Sequence, residues 1–415
     1  MPRYYPFIAL WGARYREWTC RYAIPSLLAP GNLPALKDLP ESRFLFATPE
    51  EDWLKLQDDP AFQRLAAVIE PVWIRIEDEE GGRHKYSRMG RSHAALMERC
   101  FQDQAVSIFI NTDSVYPSGT IAEGRRLIES GKTVLLHAAI RFDLEGCDRA
   151  FREGGHFKPD GTLSLTNREA VGIGLKNLHR ESLASDWASP NFGSLHPAHD
   201  RAEPFLTCCY WAVPKEEGVI LVTHNWGPIF LNHAALHGHD TDTLTTGGEG
   251  LDGSYLYNNF KDSGSWDRLH IVEDSDSLFP LGMTPSGEMA PPEGPAYEKA
   301  YGHTPGESDR KWILNQTVFD PLIDPMRRLA YRKKIRWHTR DIITPAWQET
   351  EKLSQDIIDT CAAFDFRQIL PRALPARLLP PLSLYLRTRL KPIFRTCVRE
   401  SRFLARRIYH KIKPF

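Results

Sequence analysis

The chain has 415 residues, 42% hydrophobic and 25% charged, a globular composition with room for one large domain or two. No run approaches the ~18 apolar residues of a membrane-spanning helix, and the opening PRYYPFIALWG is too short and too aromatic for a signal peptide. The seven cysteines are odd in number and show no CxxC spacing, which argues for reduced thiols in a cytoplasmic protein and against a disulfide framework or a zinc site. A net charge of −1 hides an asymmetry: from Arg327 onward 21 Lys/Arg stand against 7 Asp/Glu, so an acidic body carries a basic tail.

In chain order, Tyr5–Leu10 is a predicted strand ending in Trp11-Gly12, and Arg14 to Leu28 has helical character, stopped at Ala29-Pro30-Gly31-Asn32. Arg43–Thr48 is a second strand. Pro49-Glu50-Glu51-Asp52 then opens a helix, with proline in the first turn and acids at the positive end of the dipole. Val68–Ile76 is a third strand and Ser87–Gln102 a helix. Val106–Ile110 is a short apolar strand that runs into Asn111-Thr112-Asp113 and a Pro/Gly turn, followed by a helix over Thr120–Ser130 and a fifth strand at Thr133–Ile140. Strands alternating with helices at this spacing predict an α/β fold with a doubly wound, mostly parallel, Rossmann-like sheet.

Past Ile140 the pattern changes. Thr166 and Glu169 form a capping box before a helix to about Leu178, and a Ser/Trp/His-rich loop spans Arg180–Arg201. Phe205–Val213 and Val219–Trp226 read as an added antiparallel strand pair around Pro214–Gly218. A Gly-rich loop leads to Gly247-Gly248-Glu249-Gly250-Leu251-Asp252, ahead of a short helix at Tyr255–Phe260. Leu281–Arg310, rich in Pro, Gly and Glu, reads as a long surface loop.

The central strand and its acidic turn, VSIFINTDSVYPSG, deliver Asp113 to the carboxyl edge of the sheet, where open α/β sheets bind ligands. This order of units, with the later GGEGLD, resembles the GT-A fold of nucleotide-sugar-dependent glycosyltransferases over roughly residues 4–275. Asn111 and Asp113 occupy the two acidic places of a stretch similar to that family's strand-plus-DxD signature, and GGEGLD resembles its acceptor-side acidic motif. The resemblance implies a transfer of a sugar from a UDP- or GDP-sugar, with Mn²⁺ or Mg²⁺ held at Asp113 and a second ligand from His338. For an inverting enzyme it also implies a carboxylate base, Asp252 or Glu249, which a retaining enzyme does not need, although Asp252 suits a helix N-cap equally well. Asn111 departs from the signature: it can hydrogen-bond a ribose hydroxyl but gives a metal no negative charge.

The ends of the early strands supply the remaining candidates for nucleotide contact: Trp11 for stacking on a base, Gly12 for close backbone approach, and Arg14 and Thr48 beside them. Arg88, Arg91 and His93, on the helix before the central strand, are candidates for the phosphates. His224, His233, His237 and His239, with Asp240 and Asp242, support an alternative, a metal-dependent hydrolase using the cluster at 224–242. A degenerate GT-A domain that binds a sugar nucleotide without turnover is a further alternative, suggested by Asn111.

The chain divides, on this reading, into a catalytic domain, 1–340, and a C-terminal basic helical extension, 341–415. From Arg367 the tail has 13 Lys/Arg and one acid, with Leu386, Leu390, Ile393, Cys397, Leu404 and Ile408 at helical spacing and a break at Pro392. A basic amphipathic helix of this kind fits an anionic membrane surface, or packs back on the acidic body, and no nucleic-acid motif accompanies it. The expectation is a cytoplasmic glycosyltransferase, peripheral on the inner face of a membrane, acting on a glycan or lipid-linked acceptor in polysaccharide biosynthesis.

Overall fold

The structure, a computed structural model, describes residues 2–76 and 85–184. Beyond them it describes the runs 211–212, 218–222, 226–236, 239, 241, 259, 268–288, 333–341, 343 and 345–362. The chain forms two compact units, Met1–Cys361 and Ala362–Phe415. Every described residue except Ala362 belongs to the first, and the boundary expected after residue 340 falls inside it. The basic tail lies outside the described residues. Among those described, no helix is long and apolar enough to cross a membrane.

The first half follows the sequence closely. Strands β1 (Tyr4–Ala9) and β2 (Arg43–Thr48) are buried almost end to end, because both faces of the sheet are covered and the runs YYPFIA and RFLFAT leave no polar face to expose. Between them come α1 (Ala13–Trp18) and α2 (Ile24–Leu27), joined by a π-helical turn at Thr19–Ala23. After β2 the chain makes α3 (Glu50–Gln57), α4 (Pro60–Ala66) and β3 (Glu70–Arg75). An aromatic cluster of Phe44, Phe46, Trp53, Phe62 and Trp73 welds these units, with the Trp53 and Trp73 rings stacked at 5.9 Å. Helix α5 (Lys85–Gln102) leads to β4 (Val106–Phe109), the short β5 (Ser114–Val115), α6 (Thr120–Glu129) and β6 (Val134–Ala138).

The second half departs from the expected sheet order. β7 (Arg141–Asp143), α7 (Leu144–Glu153), α8 (Asn167–Lys176) and α9 (Arg180–Ala184) follow, and the expected capping box of Thr166 and Glu169 is formed. The antiparallel pair is present as β8 (Trp211–Ala212) and β9 (Gly218–Val222); residues 205–210 and 213 of its expected first strand lie outside those described. The pair does not join the main sheet but forms a second sheet with β13 (Lys334–Trp337). The main sheet takes instead β10 (Trp226–Asn232), a strand absent from the sequence reading, and β11 (Leu269–Ile271). Its seven strands run β3-β2-β1-β4-β10-β6-β11, all parallel except β10, which is antiparallel to both neighbours. The stretch read as a surface loop from Leu281 begins with a buried strand, β12 (Leu281–Thr284), between β5 and β7. Last comes α10 (Pro345–Ala362).

The turn after β4 is fixed by one buried amide. The Asn32 Nδ2 group donates to the carbonyls of Ser26, Tyr116 and Pro117, and its Oδ1 accepts from the Ile121 N–H, the start of α6. Beside it, a Cβ on Gly31 would stand 2.7 Å from the Cα of Gly119, so only glycine allows the two loops to approach. Asn32→Ala strands several of these buried groups at once. It is expected to lower unfolding free energy by about 2–4 kcal/mol, read from urea denaturation, whereas a loss within error would remove Asn32 from this role.

Candidate functional site

Strand order reverses between β1 and β4: β1 continues to β2 and β3 on one side, and β4 to β10 on the other. At such a switch point the loops leaving the carboxyl ends diverge and open a crevice. A cavity of about 310 Å³ lies there, lined by Ala9, Leu10, Trp11 and Tyr15 after β1 and by Ile110, Asn111, Thr112 and Asp113 after β4, with Met89 and His93 from α5 and Arg141 from β7.

The turn carrying Asn111 and Asp113 is held through its backbone. The Asn111 N–H donates to the Tyr116 hydroxyl at 2.8 Å, and the Asp113 carbonyl accepts from the Met283 N–H at 2.8 Å. The Asn111 side chain is exposed to the cavity. The partly buried Asp113 carboxylate forms an ion pair with the Arg141 guanidinium. Arg141 is also anchored from behind: Nε donates to the Thr284 hydroxyl and Nη2 to the Met283 carbonyl, both at 2.7 Å. Burial pulls the Arg141 pKa down, but the Asp113 charge and hydrogen bond outweigh it, and the net shift is upward. Arg141 is thus a fixed cation.

The other sequence candidates fall in several places. Trp11 lines the cavity, and the Arg88 guanidinium stacks on its ring at 5.0 Å. Gly12 has φ 84°, a conformation that favours glycine, and its N–H donates to the Asp52 carboxylate at 2.7 Å. Arg14 is engaged elsewhere, paired with Glu288 and lying over the rings of Tyr15 and Trp18. Thr48 is fully buried at the end of β2, its hydroxyl without a hydrogen-bond partner among the described residues. Arg91 is half-buried on α5. His93 lines the cavity, and desolvation pushes its pKa down to about 4, so it is neutral at pH 7. Glu249 and Asp252 lie outside the described residues. Arg141 was missed by sequence reasoning; its signal was a basic residue just past the apolar strand that became β6.

His338 does not line the cavity. It sits after β13 with Asp274 and Asp276, three side chains whose ligand-type atoms lie within 4.8 Å of one another. Both oxygens of Asp276 accept from Arg168, at 3.0 and 2.8 Å, which together with His338 holds that carboxyl below its usual range. This is the chemistry of an ion-paired tie between α8 and the β11–β12 connection. At Asp113 the donor set is one carboxylate already neutralised by Arg141 and one uncharged amide. As arranged, it does not fit a divalent cation.

Of the histidine cluster, His224, His237, Asp240 and Asp242 lie outside the described residues. His233 is fully buried, its Nε2 3.0 Å from the Ser107 hydroxyl, and burial pushes its pKa down to about 3. His239 is within 2.8 Å of Glu98 and stacks on Phe101.

No family model matches the chain, and no curated protein matches it. Among solved structures, one match is to a protein described as a glucose-1-phosphate thymidylyltransferase from Bacillus anthracis, in complex with a sucrose. It is 15% identical with a TM-score of 0.19, over 33% of this chain and 55% of that one, so the matched region spans little more than half of that protein's length. A likeness so weak carries no argument, and the assignment to a Rossmann-like α/β class rests on the sheet itself.

The depressed histidines set a pH dependence. Below pH 6.5 the unfolded chain takes protons that native His93, His137 and His233 refuse until about pH 4, 4 and 3. The unfolded state binds more protons in that window, so stability falls as pH drops from about 6.5 towards 4. His93→Phe should flatten this slope by up to roughly 1 kcal/mol per pH unit, measured by denaturation at several pH values. An unchanged slope would mean that His93 titrates normally.

Proposed function

We propose that the chain is a glycosyltransferase that takes a sugar from a nucleotide-sugar donor bound in the β1/β4 cavity and passes it to a glycan or lipid-linked acceptor. The observation that supports this reading most is the placement of Trp11, Asn111, Asp113 and Arg141 around one crevice at the sheet's switch point. Trp11 offers a face for the base, Asn111 an amide for the ribose, and Arg141 and Arg88 the positive charge that a diphosphate requires. UDP- and GDP-sugars are the donors proposed.

The transfer breaks the bond from the anomeric carbon to the diphosphate oxygen, and the electron pair leaves with that oxygen. The acceptor hydroxyl oxygen bonds to the anomeric carbon. In an inverting reaction the hydroxyl proton passes to a carboxylate, for which Asp252 and Glu249 are the proposed bases. Stabilising the leaving diphosphate is the largest electrostatic task of the site. The basic tail is proposed to hold the enzyme at an anionic membrane surface, near a lipid-linked acceptor.

A binding screen with UDP-, GDP-, CMP- and dTDP-sugars tests the assignment, with Trp11→Ala as the control. One nucleotide class should bind, and Trp11→Ala should weaken it by roughly 10-fold, the order of a lost stacking contact. Binding without any transfer would identify a degenerate domain. Failure of every nucleotide to bind, or binding that ignores Trp11, would contradict the proposal. In an active preparation, Asp252→Asn or Glu249→Gln should cut turnover by ~10²–10⁴-fold with donor affinity nearly unchanged. Near-parental rates in both variants would remove this loop from the chemistry.

A further inference from the structure

We infer that Arg141, and not a divalent cation at Asp113, is the positive charge that receives the donor's diphosphate, so that nucleotide binding at this site is metal-independent. The inference rests on the nucleotide-sugar reading of the cavity and goes beyond it by naming what neutralises the phosphates.

Three observations carry it. First, the place a cation would take beside the Asp113 carboxylate is filled by the Arg141 guanidinium, itself fixed by Thr284 and the Met283 carbonyl. A metal entering there has to displace a partly buried charge that two further hydrogen bonds hold in place. Second, the companion position is Asn111, whose amide brings no charge to a metal. Third, Arg141 keeps donors to spare. Nε and Nη2 are committed, whereas Nη1 has no acceptor among the described residues, and the side chain lines the cavity. A Cβ at position 282 would stand 3.0 Å from Nη1, so Gly282 leaves that nitrogen uncrowded. A guanidinium that lines a crevice and keeps an N–H pair uncommitted among the described residues is suited to phosphate oxygens, and it stabilises negative charge on the departing diphosphate without any proton transfer. Asp113 then orients Arg141 in place of a metal.

Asp113 and a phosphate compete for the same guanidinium, and this separates the two accounts. If Asp113 holds a metal, Asp113→Asn destroys nucleotide binding. If Asp113 holds Arg141, the same change removes a repelling carboxylate and leaves Arg141 anchored by Thr284 and Met283, so binding tightens. Titration of the full chain with UDP and with GDP, in EDTA and in Mn²⁺, reads the difference. We expect equal affinity in the two conditions, a gain of about 3- to 10-fold in Asp113→Asn, and a loss of roughly 10-fold or more in Arg141→Gln. Because Arg141→Gln leaves Asp113 unpaired and risks misfolding, the double variant Asp113→Asn/Arg141→Gln, which removes both charges, serves as a second probe. It should fold and bind as weakly as the single Arg141 variant. Binding that vanishes in EDTA and in Asp113→Asn overturns the inference while leaving the nucleotide-sugar reading intact. Absence of UDP and GDP binding in both conditions takes down the inference together with the UDP- or GDP-sugar donor it rests on.

Discussion

The ion pair between Asp113 and Arg141 joins two parts of the chain that the rest of the architecture has to bring together. Asp113 stands at the exit of β4, and Arg141 stands beyond the end of β6, separated from β4 in the sheet by the antiparallel β10. The small sheet β5-β12-β7 closes the gap, since β12 pairs with the segment after Asp113 on one side and with the strand that begins at Arg141 on the other. A charge pair in a partly desolvated site is costly to leave half-made, so each partner fixes the other. The consequence is a rigid cavity wall whose charge is set by the fold.

Around that wall the chemistry is divided. His93 is neutral, so the charged groups on the cavity lining are the ion-paired Asp113 and Arg141, while the Arg88 guanidinium lies over the Trp11 ring; both guanidinium groups keep their charge at every physiological pH. The Asp274, Asp276 and His338 group belongs to a different tie. There Arg168 bridges Asp276 and Asp341, and the His338 ring rests on Trp347 at 4.7 Å.

The sequence disclosed most where the physics is local. Runs such as RFLFAT, with β-branched and aromatic residues bounded by Pro and acids, dictate buried parallel strands and capped helices, and β2 and the Thr166–Glu169 capping box appear as expected. The sheet edge bearing Asn111, Asp113 and Trp11 was legible for the same reason: a strand followed by a polar turn places those residues at the carboxyl edge. What was not legible depends on pairing across large separations. β10 follows β9 after a gap of three residues, so one apolar stretch hid two strands that enter different sheets. β12 has four residues among prolines and glycines, and its burial between β5 and β7 is a tertiary fact. Arg141 shares that origin. Its role as Asp113's partner exists only because β12 draws the two segments together.

The central claim is that the crevice between β1 and β4 is a nucleotide site with its phosphates on Arg141. A crystal structure of the full chain with UDP or GDP bound, grown in the presence of EDTA, tests it most directly. The account predicts the base against Trp11, the ribose beside Asn111, and the diphosphate oxygens within hydrogen-bond distance of Arg141 Nη1. A nucleotide found elsewhere on the chain, or one whose phosphates avoid Arg141, would contradict it.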